Sequence, residues 1–501
     1  VRRRRATALA ACLVLASCTT ASDPSADRPA RSTSTSTSST SATTTPTGST
    51  TTAANPTPER SGDPLPDDVA DRTFGGLGDP RIDVSDYTVR VAAAPEEEVI
   101  AGEVRITMRS TIDEPLSSFT LGLRGPEIRS LEVEGERATS ATDDGEVTIT
   151  PATPIPPDTG VEVQITYEGV PDQTEFPGWG MPVGWQSDGE GGWFAMSEPD
   201  GTATWVPVND HPSDKASWAI ALDVPRGVTG VANGRLQGGG PRPTKGGRDR
   251  WTWVEEEPMA SYLVLAAVGD YDLVSSTHGD VRVVRAFPRD LGDRDRAAFD
   301  PIEEVIDFFS SHFGPYPNDD AGAIVVPTDL GLALESQTRP LFGTDGVVDD
   351  VAPALAHELA HQWFGDAVSP ETWTDVWLNE GFATYADWMW LEHQGEGSVD
   401  AIARRIARSR PVGDVAVRDP RSATEFSTAV YEGGALALHA LRLTVGDEAF
   451  FRILRSWVST YDGRSAGTGD LVALASEESG RDLSGFFDRW LDQAPQPALP
   501  G

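Results

Sequence analysis

From about residue 73 to about residue 274, apolar side chains recur at every second position. Tyr87, Val89 and Val91 alternate with Thr88 and Arg90, and Val104, Ile106 and Met108 with Arg105 and Thr107. Val161, Val163, Ile165 and Tyr167 repeat the pattern, as do Trp218, Ile220 and Leu222. Successive side chains of a strand point to opposite faces, so this period predicts antiparallel sheets with one wet face. Turn residues such as Pro156-Pro157-Asp158-Thr159-Gly160 separate the runs. The expected unit is an N-terminal all-β domain over residues 73–274, a sandwich or saddle.

Beyond about residue 275 the spacing lengthens. Ile302, Val305, Ile306, Phe309 and Phe313 fall on one face of a helix predicted over 301–313, and Ala323-Ile324-Val325-Val326 reads as a strand. Asp350 or a neighbour can cap a helix that runs through Pro353, a first-turn proline, to His361 and beyond. A second helix is expected from near Asn379 through Trp390. More follow over 430–443, 447–461, 469–479 and 483–491. Residues 275–501 therefore read as an α+β domain with a helical C-terminal part.

Composition narrows the function classes. Lys and Arg total 40 against 78 Asp and Glu, a formal charge of −38. Binding a phosphate backbone needs a basic face, so a nucleic-acid partner is excluded. The two cysteines, Cys12 and Cys18, both lie near the start. The body of the protein thus relies on ordinary cores, and any metal there is not held by thiolates.

The first residues read as an address. Arg2-Arg3-Arg4-Arg5 precedes a short apolar run, Ala6 to Ala16, which ends in Leu15-Ala16-Ser17-Cys18. That order resembles a bacterial lipobox, with residues 1–17 a signal peptide and Cys18 the lipidated residue; an ordinary secretory signal with a chance cysteine is the other reading. Residues 18–72 are rich in Ser, Thr and Pro and are expected to be a disordered tether. Some fifty such residues reach on the order of 40 Å. The expected location is outside the cytoplasm, on the bacterial cell membrane.

The chemistry concentrates in Ala356-His357-Glu358-Leu359-Ala360-His361. On a helix, residues four apart share a face, so both imidazoles can grip one divalent ion, usually zinc, with Glu358 beside it as a general base. The bland alternative is a pair of surface histidines near a glutamate. Against it, Leu355, Leu359, Trp363 and Phe364 are apolar, so the helix is expected to be buried, and buried histidines need partners. Glu380, in Trp377-Leu378-Asn379-Glu380-Gly381, follows at a spacing that lets a second helix return and supply a third ligand. Asn379, Asp387 and Asp375 are candidates to orient the ligands. Three protein ligands leave a position for water, as catalytic rather than structural zinc requires. An oxyanion also needs a donor. Tyr431, in Val430-Tyr431-Glu432-Gly433-Gly434, is the candidate, and a half-buried core tyrosine is the competing reading.

Together these motifs resemble the aminopeptidase N and leukotriene hydrolase family of zinc peptidases, gluzincins with a thermolysin-like catalytic core. Trp205-Val206-Pro207-Val208-Asn209-Asp210-His211-Pro212 and Pro258-Met259-Ala260-Ser261-Tyr262-Leu263 are similar to segments of its N-terminal domain. The resemblance implies one zinc ion on His357, His361 and Glu380, with Glu358 and Tyr431 catalytic. Ala333-Leu334-Glu335-Ser336 resembles the Gly-Ala-Met-Glu-Asn segment, which implies that Glu335 holds the substrate's α-ammonium. Leu332, Leu334 and Ser336 depart from that segment, Gly433 stands where the family's Tyr-Glu-Lys-Gly has lysine, and Met196 stands at the expected place of an amine-binding glutamine. No counterpart of the family's large helical C-terminal domain is read, so a more open cleft is expected. The implied function is a lipid-anchored zinc aminopeptidase acting on peptides. The alternatives are a zinc endopeptidase on the same scaffold and an inactive peptide-binding surface lipoprotein.

Overall fold

A computed structural model describes residues 74–501 apart from 75, 95–97, 176–181, 190, 345–350, 410–414, 420 and 422–425. The expected leader, Cys18, the tether and Asp350 lie outside the described residues, which all belong to one compact unit.

The period-two runs pair with one another. A nine-stranded sheet carries the order Arg235–Leu236, Arg248–Ala260, Lys215–Pro225, Ile82–Ala92, Ile100–Ser110, Gly160–Gly169, Glu127–Val133 and Glu136–Arg137, with Arg242–Pro243 pairing alongside Arg248–Ala260. In register, Tyr87 faces Ile106, Val89 faces Val104, and Val104 and Ile106 face Ile165 and Val163. One buried face results from these matched pleats. A shift between Val84 and Asp86 resets the phase, so Ile82 and Val84 are buried as well as Tyr87. Contrary to a purely antiparallel expectation, Ile82–Ala92 and Lys215–Pro225 run parallel. Such a pair needs a long crossover, and most of the other strands lie within it.

A smaller sheet, Thr229–Ala232, Ala266–Gly269, Trp193–Met196, Pro182–Ser187 and Thr174–Glu175, packs its short strands into the interior. A three-stranded sheet of Phe119–Gly122, Glu146–Thr150 and Thr139–Asp143 completes the β region.

The second region begins with a sheet ordered Tyr271–His278, Val281–Pro288, Asp320–Val326, Leu341–Gly343 and Ala333–Leu334. Its first strand straddles the boundary expected at 274/275 and pairs only within this sheet. Helix α1 (Ile302–Phe313) buries the five apolar residues foreseen for it. Helices α2 (Val351–His361) and α3 (Trp377–His393) follow, then α4 (Val399–Ser409), α5 (Gly434–Val445), α6 (Asp447–Tyr461), α7 (Thr468–Ser479) and α8 (Ser484–Leu491). Helix α4 was not among the expected elements, although Val399, Ile402, Ala403 and Ile406 fall at helical spacing and face the core. The single helix expected over 430–443 is also corrected: a π-helical turn, Ala429–Gly433, precedes α5. Two successive glycines weaken an α-helix there.

Side chains from the β region reach under the helices. Tyr262 donates its hydroxyl to the Gly365 carbonyl at 2.9 Å, and Lys215 donates to the Asp366 and Ala367 carbonyls at 2.5 and 3.1 Å. In return Arg339, fully buried, donates to the Ala232 and Gly234 carbonyls and lies 4.6 Å over the Trp253 ring. These bonds fix the floor on which the histidine helix ends.

Candidate functional site

Helix α2 presents His357 and His361 to α3, which runs the other way: His357 meets both Glu380 and Asp387, whereas His361 meets Glu380. The His357 and His361 Nε2 atoms lie 3.3 and 3.5 Å from one Glu380 oxygen, and one donor atom of each residue lies within 4.8 Å of the other two. The opposite ring nitrogens are held. His361 Nδ1 is 3.1 Å from the Phe364 carbonyl, which can only accept, so that nitrogen carries the proton and Nε2 keeps its lone pair. His357 Nδ1 is likewise 3.1 Å from an Asp387 oxygen. With both rings neutral, three lone-pair donors converge on one point, the donor set that a divalent cation takes up in place of the ring protons. The set therefore fits a divalent zinc ion, with the ring orientation imposed from behind.

Of the other expected orienting residues, Asn379 and Asp375 do something else. Asn379 donates to the Tyr262 hydroxyl at 3.0 Å, extending the interdomain chain that ends on Gly365. Asp375 accepts from Thr468 and pairs with Arg418, away from the imidazoles.

Electrostatics among the protein groups of the site follow from burial and charge. Burial pushes Glu380 up, but the His361 and His357 rings outweigh it and hold the carboxyl down at about 2. Burial depresses His361, and the Glu380 and Glu335 carboxylates overcome that and lift it to about 9. Metal uptake must therefore expel protons from the rings. Glu358, on the same helix as both histidines, is lifted by burial to about 8 against the pull of those rings. A cation at the triad draws such a group back toward the range useful for proton exchange.

Glu335 sits at the end of the edge strand Ala333–Leu334, buried, with a carboxylate oxygen within 4.8 Å of donor atoms of Glu358 and His361. A further acid, not foreseen from the sequence, joins it. Glu198 follows the strand Trp193–Met196 of the β region, and its carboxylate lies within 4.8 Å of both Glu335 and Glu380. Each of Glu198 and Glu335 has a buried oxygen, Oε1, without a hydrogen-bond partner among the described residues. Met196, singled out as the substitute for an amine-binding residue, is buried in the core two positions earlier. The readable signal was an acid, in Ser197-Glu198-Pro199, just after an apolar strand. Tyr431 projects from the π-helical turn with its ring stacked over His357 at 6.1 Å between centroids and 16° between planes. His357, Glu358, His361, Glu380, Glu335 and Tyr431 thus gather in one place, and Asp375 does not join them.

Comparison with known proteins agrees with this geometry. The Peptidase M1 N-terminal domain family matches residues 84–263, and the Peptidase family M1 domain matches residues 298–490. Aminopeptidase M1-B of Oryza sativa is 28% identical over 322 residues, covering 58% of this chain and 36% of that protein. Probable aminopeptidase 1 of Sulfurisphaera tokodaii is 26% identical, covering 60% and 41% respectively. The chain thus spans well under half the length of these relatives. An M1 zinc metallopeptidase of Deinococcus radiodurans, solved as a variant bound to a Tyr-Ser-Ala substrate, superposes with a TM-score of 0.80 at 31% identity, covering 86% of this chain and 99% of that one. With both domains matched in order and a solved relative spanned almost end to end, the chain belongs to peptidase family M1, the zinc metallopeptidases.

Proposed function

We propose that this protein is a zinc-dependent aminopeptidase that removes residues from the free N-termini of peptides. One observation carries the reading: the unpaired, buried carboxylate oxygens of Glu198 and Glu335 lie beside the His357, His361 and Glu380 triad. Burial and neighbouring carboxylates raise both carboxyls, so a peptide's α-ammonium seated between them is the partner that lets them ionise, and anchoring that group places the first peptide bond at the centre.

His357, His361 and Glu380 would hold the zinc ion, which when bound would supply Lewis-acid polarisation of the scissile carbonyl and a lowered water pKa. Glu358 takes the proton of the attacking water and hands it to the departing amine. The Tyr431 hydroxyl donates to the carbonyl oxygen as that oxygen gains charge. Asp387 and the Phe364 carbonyl hold the two rings in the required tautomer. By likeness to the Deinococcus relative, short peptides with a free amine are the proposed substrates.

The test is hydrolysis of a panel of aminoacyl anilides, loss of activity with a chelator, and its return with zinc. Internal cleavage of an N-acetylated peptide at a comparable rate would show an endopeptidase instead. Zinc bound at one per chain with no turnover would leave only a peptide-binding protein.

For location, the Arg2–Arg5 cluster, the apolar run and Leu15-Ala16-Ser17-Cys18 support lipidation at Cys18 and attachment to the outer face of a bacterial membrane. Cys18→Ala should then release the protein from the membrane fraction; unchanged fractionation would refute the anchor.

A further inference from the structure

Tyr431 stands on a turn that needs outside support. The π-helical turn Ala429–Gly433 is closed by Gly433 N–H donating to the Thr428 carbonyl at 3.1 Å, and the Tyr431 N–H donates to the Ser427 carbonyl at a long 3.4 Å. Gly433 ends the turn and Gly434 follows it, and glycine costs a helix about 1 kcal/mol relative to alanine at each position. π-helical turns are rare and concentrate at functional sites.

Two contacts brace this turn from outside. On one side Gly434 lies against Gly381, the residue next to Glu380: a Cβ on Gly434 would be 2.8 Å from the Gly381 Cα. Backbone meets backbone there, so the lateral distance between α3 and the tyrosine turn is set. On the other side Gln496, beyond the end of α8, donates from Nε2 to the Gly433 carbonyl at 2.9 Å and to the Trp490 carbonyl at 2.8 Å. One amide thereby ties the end of the tyrosine turn to the last turn of α8. Only a donor suits that place, because both partners are carbonyl oxygens.

We propose that Gln496 is a positioning residue for catalysis, whose amide clamps the Gly433 carbonyl so that the π-helical turn holds the Tyr431 hydroxyl where the developing oxyanion needs it. The inference rests on the reading of Tyr431 as oxyanion donor. An error of about 1 Å in a catalytic group can cost on the order of a hundredfold in rate.

The test compares Gln496→Glu with the parent, in the zinc-loaded full chain and in a Tyr431→Phe background. Glutamate keeps the size but sets an acceptor against two acceptors. Expected are a fall in kcat of about tenfold, with KM and zinc stoichiometry unchanged. Faster amide exchange across residues 429–434 should accompany it, and there should be no further fall where Tyr431 is already Phe. An equal loss in both backgrounds would mean that Gln496 does not act through Tyr431, and would overturn the proposal. So would a parental kcat, with Tyr431→Phe impaired. If Tyr431→Phe itself is fully active, the oxyanion reading fails and takes the proposal with it. Should Gln496→Glu not fold, Gln496→Ala decides by the same criteria.

Discussion

Replacing Glu335 by Gln tests the exopeptidase reading at its source. Glutamine keeps the shape of the side chain and removes its charge, so packing around the buried carboxyl is preserved. The unpaired Glu335 Oε1 has nothing else to bind among the described residues, so a seated ammonium gains a charge-assisted hydrogen bond of about 1.5–3 kcal/mol. The Coulomb energy of a unit pair at about 4 Å, roughly 4 kcal/mol at an effective dielectric constant near 20, bounds it from above. Since about 1.4 kcal/mol is tenfold, kcat/KM for an aminoacyl anilide should fall about 10- to 150-fold. Glu198→Gln should do the same, because its Oε1 is equally unpaired and its carboxylate lies in the same cluster. The decisive quantity is a ratio. With a matched anilide that lacks the α-amine, neither change should matter much, so preference for the free amine should shrink by the same factor. If both anilides lose activity equally, the acids shape the metal site rather than measure the chain end. If neither loses activity, the ammonium binds elsewhere.

Three further outcomes are expected. Glu358→Gln should keep zinc at one per chain while kcat drops by about 10²–10⁴-fold, and turnover within tenfold of the parent would remove Glu358 from the proton path. Gly381→Ala puts a Cβ 2.9 Å from the Gly434 Cα, where no side chain can yield; about 1–3 kcal/mol of stability should be lost, and an unchanged urea midpoint would show that the contact is slack. Asp210 is buried, with Ser261 donating to Oδ1 at 2.6 Å and Oδ2 without a hydrogen-bond partner among the described residues, and burial, helped by Asp200, pushes its carboxyl up to about 7. Its folded value exceeds the unfolded value of about 3.9, so its stabilising contribution is whole below the latter and is lost as pH rises to about 7. Asp210→Asn should therefore match the parent near pH 4 and exceed it by up to about 4 kcal/mol at pH 8; an offset independent of pH would contradict the burial argument.

Much of this protein was legible along the chain, for identifiable reasons. Strand alternation and helical periodicity are local, so runs such as Val161 to Tyr167 and the face of α1 announced their elements, and Asp447–Tyr461 appeared with its observed limits. His357, Glu358 and His361 were readable because one helical turn fixes their geometry before any tertiary contact forms. Glu380 needed only one returning helix.

What the sequence could not decide depends on segments far apart in the chain that meet only after folding. Glu198 lies some 140 residues from Glu335, and no local pattern says that the end of one strand meets the end of another. Asn379 looked like a partner for the ligands yet bonds Tyr262, because the β region intrudes beneath the helix. The π-helical turn under Tyr431 is likewise a tertiary result, set where Gly434 presses on Gly381 and Gln496 reaches the Gly433 carbonyl. The metal triad was thus written in short-range spacing, whereas the pocket that chooses what reaches it, and the exact seat of its tyrosine, arose from packing between distant segments.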